Sequence, residues 1–194
     1  MPANVLYIHG AYSSPVTFAT LIRRLPEHRS EFARYDCLQN SIAEVVEMLA
    51  GEAEQAFRGE PYRVVGHSLG GVIAVLLYGS GQPVERIFTM ASPFGGSRMA
   101  QILQVLFYQS RIYRDITPLS QTILQVLDTK IAIPMVSVVT TSGGTPLFPH
   151  ANDGVVTVAS QLSLSGPAYH AMPYNHFEVL LADPVVDLLH GTLF

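Results

Sequence analysis

The chain has 194 residues, of which 48% are apolar and 13% charged, with a formal net charge of −4 and a mean hydropathy of +0.29. That length holds one sizeable core and is too short for two comfortable domains. The charge balance leaves no basic stripe for nucleic acid, and the single cysteine, Cys37, excludes an intrachain disulfide and a cysteine-based zinc site.

Val5 to Ile8 is a short apolar run ending at His9-Gly10, which reads as a first buried strand. "PVTFATLIRRL" fits a helix, with Ser14 as N-cap and Pro15 in its first turn. "YDCL" (35–38) is the expected second strand, with Cys37 as a core thiol. In "NSIAEVVEMLAGEAEQAF", Ile42, Val45, Val46 and Leu49 share one helical face and Ser41 is placed to cap it. "YRVVG" is a strand, and Leu69 to Tyr78 is a helix apolar nearly all round, as suits one buried beside a sheet. "VERIFTMAS", "IPMVSVVTT" and "AYHAMP" are further strands, and Asp183-Pro184 opens a closing helix. Residues 98–127 lack strand character and read as two helices, the second started by Thr117 and Pro118. Strands alternating with helices predict an α/β domain, a mostly parallel sheet covered on both faces.

Within this pattern "VVGHSLGG" carries the chemistry. A residue held between strand and helix takes a strained backbone, and glycines two places to either side relieve the crowding. Gly66-His67-Ser68-Leu69-Gly70 therefore reads as a nucleophile elbow presenting the Ser68 hydroxyl. A serine hydroxyl needs a base to take its proton, and that base needs an orienting acid. In an open parallel sheet these arrive on loops at the strands' carboxyl ends, in the order serine, acid, histidine. "HANDGVV" follows a late strand and supplies Asp153, with Gly154 freeing the turn; Asp128 is the rival acid, and Asp183 reads as a helix N-cap. "YNHFEVLL" supplies His176 between the last strand and the last helix, whereas His170 falls on a strand and His150 precedes the acid. The oxyanion donors expected are the backbone N–H of Leu69 and, from "HGAYSS", that of Ala11, with Tyr12 beside it. His9 and His67 read as structural, shaping their turns through hydrogen bonds.

Together "YIHG", "GHSLGG", "MASPFGGS", "DITPLS", "NDGVV" and "NHFEVLL" resemble, in order and over nearly the whole chain, the α/β-hydrolases, close to the compact bacterial lipases and esterases and their PGAP1-like relatives. The resemblance implies a minimal single-domain α/β-hydrolase without the first two strands of larger relatives. It implies ester hydrolysis with Ser68 as nucleophile, Asp153 as acid and His176 as base. Phe94 stands where the family's Thr-Pro-His-x-Gly-Ser stretch has its histidine. The function expected is cleavage of carboxylic esters with apolar acyl or alcohol parts. Acyl transfer or thioester hydrolysis on the same three residues is the alternative, and a non-catalytic binding protein the remaining one.

Tyr12, Phe94, Leu103 and Leu106 are the expected substrate-lining residues. The helices of 98–127, through Met99, Ile102, Leu103, Leu106, Phe107, Leu119, Ile123, Leu124 and Leu127, either cover the sheet or form a lid, and the apolar "GGTPLFPH" loop is placed to line the same mouth. No metal or organic cofactor is expected. The expected partner is a small-molecule or lipid ester, with transient contact to a lipid surface and no transmembrane segment. The sequence begins without the pattern of a secretory leader, so the expectation is a cytoplasmic protein, a processed secreted form being left open.

Overall fold

The computed structural model describes residues 2–144 and 150–194 and, at Leu106, the backbone alone. Strand β1 (Asn4–Ile8) leads through a 3-10 turn (Pro15–Phe18) into a short α1 (Ala19–Ile22). Strand β2 (Arg29–Phe32), helix α2 (Ile42–Phe57), strand β3 (Tyr62–His67), helix α3 (Leu69–Gly79) and strand β4 (Val84–Met90) follow. Three helices, α4 (Arg98–Leu106), α5 (Arg111–Asp115) and α6 (Gln121–Asp128), precede β5 (Met135–Thr140). The chain closes with α7 (Val158–Gln161), β6 (Ala168–Met172), a 3-10 turn (Glu178–Leu180) and α8 (Asp183–Leu193).

The strands pair in the order β2-β1-β3-β4-β5-β6, every pair parallel. Side chains alternate across each central strand. Leu6, Ile8, Val64 and Ile87 face α2, α3, α5 and α6. Val5, Tyr7, Val65 and Phe88 face α1 and α8. Burial on both faces explains why these strands read as continuous apolar runs.

Three local expectations are corrected. The second strand is Arg29–Phe32, not Tyr35–Leu38. It is an edge strand with a partly exposed "RSEF" sequence, so it carries no apolar run. Residues 36–40 instead form a turn closed by Asp36 Oδ1, which accepts the Leu38 N–H at 2.8 Å, and Asn40 Oδ1, which accepts the Asp36 N–H at 3.1 Å. The 98–127 stretch holds three helices rather than two. Its last helix starts after Ser120, whose hydroxyl accepts the Ile123 N–H, because Leu119 at φ 65° breaks any helix begun at Pro118. The N-cap of the last helix is Ala182; Asp183 lies in its first turn, paired with Arg24.

Candidate active site

The elbow begins where β3 ends. Ser68 sits at φ 54° and ψ −122°, a conformation L-residues avoid, and its N–H is held by the Met90 carbonyl at 2.8 Å. A Cβ at Gly66 would come within 2.6 Å of the Gly71 nitrogen across the turn. A Cβ at Gly70 would collide with the Ile8 carbonyl, so this glycine serves the close approach of α3 to β1. Ser68 is the N-cap of α3, which places it at the positive end of that helix.

The fold brings Ser68, His176 and Asp153 together from three separate loops. His176 Nε2 lies 3.0 Å from Ser68 Oγ, and His176 Nδ1 lies 2.8 Å from Asp153 Oδ2. Asp153 and His176 are 1% and 4% exposed, so their mutual orientation is set by protein alone. The other carboxylate oxygen, Asp153 Oδ1, accepts the N–H groups of Val155 at 2.9 Å and Val156 at 2.7 Å. Gly154 makes this possible by turning at φ 97°. Burial by itself raises the Asp153 carboxyl, but His176 and the donors of Thr140 and Val156 outweigh it and hold the group below its ordinary value. Asp153 is thus an anionic, acceptor-only partner. It fixes the proton on His176 Nδ1 and leaves the Nε2 lone pair facing the serine. The rival, Asp128, ends α6 and takes no part in this cluster.

His67 does more than shape its turn. Its Nε2 donates to the His176 carbonyl at 2.8 Å, and the two rings lie 5.0 Å apart. Burial, then the neighbouring His176, push the His67 imidazole down to about 3, so it is neutral wherever the protein is folded near neutrality. His9 Nδ1 is 2.8 Å from the Gly10 carbonyl, with its ring stacked on Tyr35. His170 lies on strand β6, as expected, and is exposed.

Ala11, Leu69 and Ser68 border one pocket of about 210 Å³. Leu69 is the first residue of α3, so its N–H has no partner within the helix. The Tyr12 N–H is given to Cys37 Sγ at 3.3 Å, which removes it as an oxyanion donor; among the described residues no acceptor is paired with the Ala11 N–H. The pocket walls are mainly apolar, with Met99, Ala100 and Leu103 from α4, Tyr113 and Ile116 at α5, and Val155 and Val156 from the acid loop. Tyr12 lines the mouth, half exposed, its ring 5.3 Å from that of Tyr113. Phe94 is corrected: it is fully buried in the core cluster on the α2–α3 face of the sheet, and its neighbour Pro93 reaches the pocket instead. The Leu106 side chain and residues 145–149 of the "GGTPLFPH" loop lie outside the described residues. Thr140 and Gln161, which contact Asp153, were not singled out from the sequence.

Among the solved structures similar to this chain is the phospholipase PlaB of Legionella pneumophila, with a TM-score of 0.81 at 12% identity over 100% of this chain and 60% of that one. The mature form of the lipase BlEst2 of Bacillus licheniformis gives 0.77 at 14% identity, over 99% of this chain and 92% of that one. The fold is that of an α/β-hydrolase. A lipase-esterase related protein of Clostridium acetobutylicum also shares it, with a TM-score of 0.69 at 11% identity over 98% of this chain and 94% of that one. The chain spans less than two thirds of the Legionella phospholipase's length. The family model described as a thioesterase domain matches residues 3–98, from β1 into the start of α4. No curated protein matches the chain.

Proposed function

We propose that the protein is a serine hydrolase that cleaves carboxylic esters carrying an apolar acyl or alcohol group. The observation that carries this reading is the hydrogen-bonded line from Ser68 Oγ through the His176 ring to Asp153, at the edge of an apolar pocket. In this reading His176 Nε2 takes the Ser68 proton as Oγ attacks the ester carbonyl. The Leu69 and Ala11 N–H groups hold the resulting oxyanion, and Asp153 stabilises the imidazolium. His176 returns the proton to the departing alcohol as the tetrahedral intermediate collapses. Water then attacks the acyl-enzyme with His176 again as base, releasing the acid and restoring Ser68.

A second reading is favoured by the thioesterase family model over residues 3–98. Thioester hydrolysis uses the same three residues and differs only in the leaving group. Paired oxygen esters and thioesters of one acyl chain, with Ser68→Ala as control, separate the two. A fluorophosphonate should label Ser68 and should fail to label Ser68→Ala. Labelling at a different serine, or none in folded protein, would remove the reading altogether.

A further inference from the structure

Strand β5 outlasts its neighbour. The last β4–β5 pair is Met90↔Val138, while β5 continues to Thr140 alongside β6. The backbone of Thr140 therefore faces the side that β4 has left. Gln161, from the end of α7, fills that place. Its Oε1 accepts the Thr140 N–H at 2.9 Å, and its Nε2 donates to the Thr140 carbonyl at 3.1 Å. Both residues are fully buried. With the amide thus fixed, Gln161 Nε2 also lies 3.4 Å from Asp153 Oδ2.

The Thr140 hydroxyl has one proton and two acceptors within reach, Asp153 Oδ2 at 2.5 Å and Gln161 Oε1 at 3.1 Å. The shorter, charge-assisted contact takes it. Asp153 Oδ2 is also the oxygen that receives the His176 Nδ1 proton. We infer that Thr140, clamped by Gln161, is a positioning residue for the acid of the triad: its hydroxyl holds Oδ2 toward His176 and draws off part of that oxygen's charge. This rests on the reading of Ser68, His176 and Asp153 as a catalytic triad.

The consequence has a sign. Each donor on Oδ2 reduces the carboxylate's stabilisation of the imidazolium, and removing the Thr140 donor strengthens it. The titratable groups around the pair are His67 from β3, whose ring lies against that of His176, His9 just after β1, whose charge acts on His67, and Glu178 in the 3-10 turn after the base, which accepts the Asn175 N–H. The Thr140 substitutions leave all of these in place.

The test is Thr140→Val against Thr140→Ser, reading the pH dependence of kcat/KM and, independently of substrate, the NMR titration of the His176 ring, assigned by its absence in His176→Asn. In Thr140→Val the acid limb and the ring titration should both rise by about half a pH unit. In Thr140→Ser, which keeps the hydroxyl, both should stay at the wild-type position. Thr140→Ala serves as the second hydroxyl-free variant where valine does not fold. A fall in kcat/KM that is equal at every pH, with the ring titration unmoved, would reduce Thr140 to a packing role and overturn the inference. Failure of the hydrolase reading shows separately, as activity retained in Ser68→Ala, and leaves the ring titration to judge Thr140.

Discussion

At the scale of single residues, the site depends on backbone positions where one extra carbon is intolerable. Gly70→Ala would drive a Cβ into the Ile8 carbonyl, and neither backbone can give way without moving β1 or α3. The expected loss is about 3 kcal/mol or more. Gly51→Ala is the matched control: it sits within α2 with open space around it, and should gain about 0.5–1 kcal/mol from helix propensity. Urea midpoints of the two variants should move in opposite directions; movement together would mean the elbow has more slack than its geometry allows. His67 sets a second expectation. Above pH 6.5 it is neutral folded or unfolded and contributes no pH dependence. Below that, the unfolded chain takes a proton that folded His67 refuses until about 3. Its share of the loss is up to about 1.4 kcal/mol per pH unit across that window. Asp153, held below its ordinary value, acts lower: its stabilisation persists above the ordinary carboxylate pKa and is lost as pH falls through the folded value. Unfolding free energies measured between pH 6 and 4 should therefore fall less steeply in His67→Gln than in wild type. Equal slopes would place the acid sensitivity elsewhere.

At the scale of elements, legibility followed the local chemistry. Helix α2 announced itself because its signals are near in sequence: Ser41 accepts the Glu44 N–H while Glu44 returns to the Ser41 N–H, ahead of an apolar stripe. Strand β2 did not, because an edge strand needs no apolar pattern and its pairing to β1 is a tertiary fact. Thr140 and Gln161 were hidden for a related reason. A strand-end threonine and a helix-end glutamine look ordinary until the divergence of β4 from β5 leaves a backbone edge to satisfy. The 98–127 insertion also divides. Helix α5 is pinned: Ile112 and Tyr113 are buried, Asp115 Oδ2 accepts the Ile42 N–H at 2.8 Å, and Arg111 pairs with Glu44. Helix α6 packs Ile123 and Val126 on the core and leaves Leu124 and Leu127, with Leu119 just before it, toward solvent, away from the pocket. Helix α4 instead exposes Ile102 and Val105 while Leu103 lines the pocket. Of the three, α4 is the one we propose as a lid. Its amides should exchange with deuterium faster than those of α5; equal protection would make it a fixed wall. Leu103→Ala should flatten a preference for medium over acetyl acyl chains, worth up to about 0.8 kcal/mol or roughly fourfold per buried methylene, while sparing short esters.

At the scale of the molecule, one sheet serves two cores. Leu49 on α2 packs with the cluster on one face, and Leu189 on α8 with the cluster on the other; each side chain is fully buried. Neither cluster has a sheet of its own, because Leu6 and Tyr7, or Val64 and Val65, are successive residues of the same strands. Losing either layer strips one face of every central strand, so the faces should not unfold separately. Leu49→Ala and Leu189→Ala should each cost about 2–5 kcal/mol and lower a single transition. The two residues lie in separate clusters on opposite faces, so the double variant should lose the sum within about 0.5 kcal/mol. Far-UV circular dichroism and tyrosine fluorescence, the latter undisturbed because the chain has no tryptophan, should trace the same curve. The site adds a reason for this coupling. Ser68 follows β3, Asp153 lies between β5 and β6, and His176 lies between β6 and α8. A partial loss of the α8 face would therefore displace the base before the elbow. If Leu189→Ala instead produced an early, separate transition with Ser68 still open to a fluorophosphonate, the two faces would be independent units, and the sheet would not be the shared framework on which the three residues are aligned.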